Sequence, residues 1–182
     1  EVRIKGRYFL LKCVTPWACE RLLLPGLFLA VALSGQALAQ LACDDEAFSH
    51  AMVVENGAYA VTGAMKAFPN QHALQMHGIR IIGAIGCFGT FECLQALLAA
   101  KGDVCLVEAM RAHPKQAAVQ EAGCGALAAL ALSSAAGMKA VLAVRGAEAA
   151  SGAIKAHAAQ EQVVLQGLAA LQSLASHVDG KR

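Results

Sequence analysis

The sequence predicts an all-α protein organised as an α-solenoid, and three observations support this. A segment that starts at Met110, MRAHPKQAAVQEAGCGALAALA, has counterparts that start at Met65 and Ile154, so the starts are 45 and 44 residues apart. Much of the 57% apolar content is alanine, the best intrinsic helix former, whereas aromatic residues make up only 5%. A unit of forty-odd residues that recurs in register is typical of stacked helical repeats.

The register holds inside the copies, because aligned positions carry the same kind of residue. The aligned sets are Lys66, Arg111 and Lys155; Gly78, Gly123 and Gly167; and Ile85, Leu130 and Leu174. A glycine also stands eight residues before each start, at Gly57, Gly102 and Gly146. We expect these last three glycines to adopt left-handed or tight-turn conformations between two helices.

Each unit is predicted to contain three helices, the second of which ends near a proline or a basic residue. Three short helices leave apolar side chains on the sides that meet neighbouring units, so stacking is expected, with the third helices along one concave surface. The predicted helices are 46–55, 58–67 and 72–87, then 90–101, 104–112 and 117–132, then 136–145, 148–157 and 160–176.

We divide the chain into an irregular N-terminal arm at 1–20 and a repeat domain at 21–182. The domain comprises a partial repeat at 21–45 and full repeats at about 46–88, 89–133 and 134–177. Residues 22–39 also fit a secretory signal, with basic residues upstream and an A-x-A type site near the end. Leu41 occupies the repeat position of Ile85, which favours a terminal repeat helix. The apolar run is about a dozen residues, short of the roughly 20 that span a bilayer.

Composition argues against several partners and compartments. The formal charge is +2 with acidic and basic residues interspersed, which excludes an electrostatic footprint for nucleic acid or an anionic membrane. Seven cysteines without a CxxC pair predict reduced thiols in an apolar core, and hence an intracellular protein of the cytoplasm or nucleus. A secreted location would follow if 22–39 were a signal peptide.

The phrases MRAHPKQAAVQEAGCGALAALAL and QALAQLACDDEAFSHAMVVENGAYAVTGAM resemble armadillo repeats, whose pattern is close to GxxxLVxxMxxHPxxxxVQExGCxALxNLA. The resemblance covers about residues 33–176. It implies a right-handed superhelix of three-helix units that binds a protein or an extended peptide along the third-helix groove. The expected function is therefore a non-enzymatic interaction module without a cofactor.

The resemblance also indicates where a partner would bind. Peptide-binding members of the family carry an Asn on the third helix, and some carry a Trp four residues earlier. The Asn positions fall at Gln40, Ala84, Ala129 and Ser173, and the Trp positions at Gln36, Arg80, Gly125 and Ala169. None of these positions carries the Asn or the Trp, which argues against binding of nuclear-import cargo. We expect partner contacts at Gln36, Gln40, Arg80, Ala84, Gly125, Ala129 and Ser173.

An enzymatic alternative starts from the glycines at Gly83, Gly86 and Gly89. A buried strand at 79–82, followed by this GxxGxxG turn and a helix, would suit a nucleotide-binding oxidoreductase with Asp103 on the ribose. The aligned segment of the next unit contains no such turn, and no βαβ pattern surrounds it. Close helix packing is the competing explanation for Gly83 and Gly86.

Other sites have weaker support. His72 and His77 are five residues apart, which is not the spacing that puts two metal ligands on one helix face, so no metal site is predicted. His113 and His157 share a repeat position with Phe68 and are expected to be structural. No motif nominates a nucleophile. A further alternative makes the array the scaffold stem of a larger protein, which the start at Glu1 also suits.

Overall fold

The computed structural model describes residues 57–179, and this part of the chain is all-helical, as predicted. Residues 57–179 contain no strand. The eight helices are α1 (Gly57–Ala67), α2 (His72–Phe88), α3 (Phe91–Ala99), α4 (Gly102–Ala112), α5 (Ala117–Ser133), α6 (Ala135–Ala143), α7 (Gly146–Ala156) and α8 (Glu161–Asp179).

Several predictions lie outside the described residues. They concern the arm at 1–20, the partial repeat at 21–45 with its signal-peptide alternative, the helix at 46–55, and the contacts at Gln36 and Gln40. Within 57–179 no helix is both long and apolar enough to cross a membrane.

The expected conformation of the repeat glycines is wrong. Gly102 and Gly146 are the first residues of α4 and α7, and the left-handed residue is the one before, Lys101 or Arg145, each with φ of 62°. A Cβ on Gly146 would lie 2.5 Å from Cγ1 of Val141, and one on Gly102 would overlap Leu97. These glycines are therefore required for close packing against the preceding helix.

Side chains at equivalent positions of the repeats form hydrogen bonds with the unpaired backbone groups at the helix ends. Ser134 Oγ accepts a hydrogen bond of 3.0 Å from the Gly137 amide at the start of α6, and Thr90 occupies the same position before α3. At the end of α4, Gln120 Nε2 donates to the carbonyls of Met110 (2.8 Å) and His113 (3.0 Å). Gln75 makes the same pair of bonds one unit earlier, to Met65 and Phe68.

The helices pack in the order of the repeats. The third helices lie side by side, α2 against α5 and α5 against α8, and the second helices contact one another in the order α1, α4, α7. The core between these layers is apolar, and Leu106, Leu127 and Leu130 have no exposed surface. Burial of such side chains is the main favourable contribution to folding.

Two repeat positions fix the packing within and between units. A Cβ on Gly78, Gly123 or Gly167 would lie 2.5 to 2.6 Å from Met65, Met110 or Ile154, so each glycine admits the large side chain of the second helix. Between units, Nε2 of His113 lies 2.8 Å from the carbonyl oxygen of Pro69, and Nε2 of His157 lies 2.8 Å from that of Pro114. The histidines are structural, as the sequence predicted.

Candidate functional site

The exposed stripes of the third helices form the candidate site, which we name the third-helix face. On α2 the exposed and half-buried residues recur every three or four positions, the spacing of one helix face. The aligned positions on α5 and α8 are also exposed or half-buried, except for Ala128, which is buried. The residues that define the third-helix face are Met76, Arg80, Glu121, Gly125, Leu132, Leu165 and Ala169.

The two sets of expected contact positions differ in accessibility. Arg80 and Ala169 are exposed and Gly125 is half-buried, so the three positions within 57–179 that align with the Trp of armadillo proteins are accessible. The Asn positions are buried, with Ala84 4%, Ala129 7% and Ser173 7% exposed. The Ser173 hydroxyl donates to the carbonyl of Ala169 at 2.7 Å, an ordinary bond within the helix.

Small residues between α2 and α5 explain the burial of Ala129. A Cβ on Gly86 would lie 3.2 Å from Cβ of Ala129, and a Cβ on Gly83 would lie 3.2 Å from Cβ of Ala126. Because neither glycine carries a side chain, the two helices approach closely and cover Ala129. The competing explanation for Gly83 and Gly86, close helix packing, is the one the structure supports.

The enzymatic alternative has no matching geometry in the described residues. The supposed strand at 79–82 lies within helix α2, and its Ile79 and Ile82 are fully buried. Asp103, the supposed ribose ligand, stands in the first turn of α4, where the helix dipole favours a carboxylate.

Two exposed leucines on the third-helix face were not singled out from the sequence. Leu132 is 63% exposed near the end of α5, and Leu165 is 50% exposed in the first half of α8. The signal was present in α8, where leucines at 165, 168, 171 and 174 recur every three residues. At 3.6 residues per turn such a series drifts around the helix, so a single buried stripe cannot hold all of it.

Arg80 and Glu121 supply the charge of the third-helix face. The neighbouring His77 is buried, and its pKa is lowered by burial first and by the Arg80 charge second. His77 is therefore neutral at pH 7, and Arg80 carries the positive charge of α2 on the third-helix face. At Gly125 a Cβ would lie 3.2 Å from Gln166 Oε1, so a side chain of α8 approaches α5 closely at this position.

The described residues hold no group of three or more His, Cys, Asp or Glu side chains that could bind a metal ion. Of the four cysteines between 57 and 179, Cys93, Cys105 and Cys124 are buried and Cys87 is exposed. Burial raises the pKa of Cys124 to about 11 and also raises that of Cys105. Both thiols are protonated at neutral pH and pack as small apolar side chains.

Comparisons with known proteins bear on the fold. No protein-family model matches the chain, and no curated protein matches it. The chain is similar in structure to an engineered protein whose crystal structure comes from the Northeast Structural Genomics Consortium, with a TM-score of 0.75 and 20% identity. The match covers 94% of this chain and 63% of the engineered one. At this identity the likeness shows the fold alone.

Proposed function

We propose that the protein is a non-enzymatic interaction module, an armadillo-type α-solenoid that binds a protein or an extended peptide along the third-helix face. The observation that carries the proposal is the exposure of Leu132 on α5 and of Leu165 on α8, on the face that also carries Arg80 and Glu121. Exposed apolar side chains on a face that also carries charged residues are typical of protein-binding surfaces.

The details of recognition differ from those of the family's peptide-binding members. Alanine at 84 and 129 offers no side-chain amide to a peptide backbone, and Ser173 is bonded to its own helix. Affinity would therefore come from apolar contact with Leu132 and Leu165, and orientation from Arg80. The partner would carry apolar side chains and an acidic group. The buried, protonated cysteines suit an intracellular location.

A second candidate function is the scaffold stem of a larger protein, and Leu168 favours it. The aligned residues Ile79 and Cys124 have no exposed surface because the next third helix covers them, whereas Leu168 is 53% exposed on α8. In a repeat array such a surface is covered by a further unit or a polar cap.

Selection of extended peptides from a displayed library tests the proposed function. We expect the selected peptides to lose about tenfold or more in affinity to the variant Leu165→Asp, because a buried, unpaired carboxylate replaces an apolar contact. The matched control is Leu142→Asp on α6, an exposed leucine of another helix layer. Equal affinities for both variants, or no selected peptide, would refute the third-helix face as the site.

A further inference from the structure

Two equivalent clefts lie between successive second helices, outside the third-helix face. The first cleft, of about 220 Å³, is lined by residues that include Met65, Lys66, Pro69 and Ala112. The second, of about 380 Å³, is lined by Met110, Arg111, Pro114 and Ala156. Every one of these residues in the second cleft stands 44 or 45 positions after its counterpart in the first. The clefts are therefore one site that occurs twice.

The size of each cleft suits a side chain. Pockets for small-molecule ligands usually measure about 300–1,000 Å³ and enclose most of the ligand. The first cleft is below this range and the second is near its lower end, and both are open to the surface. The second cleft is larger because Ala149 and Gly152 stand where the first has Cys105 and Glu108. Each cleft can thus accept one apolar side chain, and the second can accept the larger one.

The spacing of the clefts limits the ligand's conformation. Packed helices stand about 8–10 Å apart, so the two clefts are separated by about that distance along the array. Polyproline II helix places every third side chain on the same face and rises about 9 Å over three residues. A β-strand repeats its face at about 6.7 or 13 Å, and neither value fits. The ligand's apolar side chains should be three residues apart.

The charged side chains of the clefts determine which residues the ligand should carry beside its apolar side chains. A cation recurs at the same position of each cleft, Lys66 in the first and Arg111 in the second. In the second cleft the carboxylate of Glu148 is held by Arg145 at 2.8 Å. Arg111 donates one hydrogen bond of 3.4 Å to the Val144 carbonyl, and the other donors of its guanidinium can face a ligand. Glu108 lines the first cleft opposite Lys66. The second cleft should therefore contribute most of the preference for an acidic residue.

We propose that these paired clefts bind a proline-rich segment of a partner protein in polyproline II conformation, with apolar side chains at positions i and i+3 and acidic residues beside them. The clefts form an interaction surface separate from the third-helix face. The protein would then hold two partners, or two segments of one partner, at once.

A synthetic peptide with the repeat Leu-Glu-Pro, measured by calorimetry against the full chain, tests this proposal. A peptide of the same composition with leucines two and four residues apart is the spacing control. The variant Gly152→Leu fills the second cleft, where a Cβ meets no atom within 4 Å, so the helix can accept the new side chain. Ala136→Leu, at an exposed position of α6 away from both clefts, is the matched control.

We expect the Leu-Glu-Pro peptide to bind, and Gly152→Leu to weaken it about tenfold or more while Ala136→Leu leaves it unchanged. Arg111→Glu should weaken binding as well. No measurable binding at about 1 mM peptide, equal binding of the spacing control, or equal affinity for Gly152→Leu and wild type would each overturn the proposal. Because Leu165→Asp leaves the clefts intact, failure here is distinguishable from failure of the third-helix face.

Discussion

Two glycines of α7 have opposite structural roles. Alanine substitution should change the free energy of unfolding in opposite directions at the two positions. A methyl group added at Gly152 would meet no atom within 4 Å, whereas at Gly146 it would lie 2.5 Å from Val141 and 3.0 Å from Leu127. We expect Gly152→Ala to raise the free energy of unfolding by about 0.5–1 kcal/mol, through lower chain entropy in the unfolded state.

By contrast, Gly146→Ala should lower the free energy of unfolding by about 1–3 kcal/mol, because the packed neighbours must move. Urea unfolding followed by circular dichroism measures both variants. Changes of the same sign would contradict the packing role that the structure gives to Gly146.

Cys124 makes stability depend on pH in the alkaline range. Its folded-state pKa is raised to about 11, above the ordinary thiol value of about 8.5, so the unfolded state loses its proton first. The contribution is fully present below about pH 8.5 and is lost as the pH rises towards 11.

We expect Cys124→Ala to be less stable than wild type at pH 7, because it leaves a small cavity, and the two stabilities to converge above about pH 8.5. Urea unfolding between pH 7 and 10.5 gives both curves. Parallel curves would show that the Cys124 thiol does not contribute to the pH dependence.

At the scale of the helix, buried glutamines bond the ends of two of the second helices, Gln75 at α1 and Gln120 at α4. Gln120 donates to two carbonyls at the end of α4, and the third unit has Val164 at this position. We expect Gln120→Leu to lower the free energy of unfolding by about 2 kcal/mol, because one buried and one part-buried carbonyl lose their donor. The exposed Gln95→Leu on α3 is the control. A loss under about 0.5 kcal/mol in thermal unfolding would contradict this role.

His157 couples neighbouring units through one hydrogen bond to the carbonyl oxygen of Pro114. Since a carbonyl only accepts, Nε2 must carry the proton in this bond. We expect His157→Ala to cost about 1 kcal/mol and to increase amide hydrogen exchange in α7 more than in α2. The exposed His72→Ala is the comparison. Equal exchange in both helices would show that the bond does not couple the units.

At the scale of the molecule, periodicity predicted the helices within 57–179 closely and their packing poorly. The predicted helix at 117–132 is observed as Ala117–Ser133, because alternation of apolar segments with glycine and proline marks helix ends directly. The left-handed conformation was predicted for the glycines and is found at Lys101 and Arg145 instead. The sequence does not distinguish a glycine that is needed for a positive φ from one that is needed for its small size.

The candidate site was predictable only in part. Aligning the repeats located Arg80 and Gly125 on the accessible face. Burial of Ala129 depends on how closely α2 and α5 approach, which is set by Gly83 and Gly86 on the facing helix α2. Contacts of this kind join residues that are more than forty positions apart, so a pattern along one helix does not contain them.

Site-specific photo-cross-linking tests the binding surface most directly. A photoreactive amino acid replaces Ala169 on the third-helix face or Ala136 on α6, both of which are exposed, and each variant is irradiated with a peptide selected from the displayed library. The third-helix proposal predicts a cross-link from position 169 and none from position 136. A cross-link of equal yield from both positions, or from position 136 alone, would contradict it.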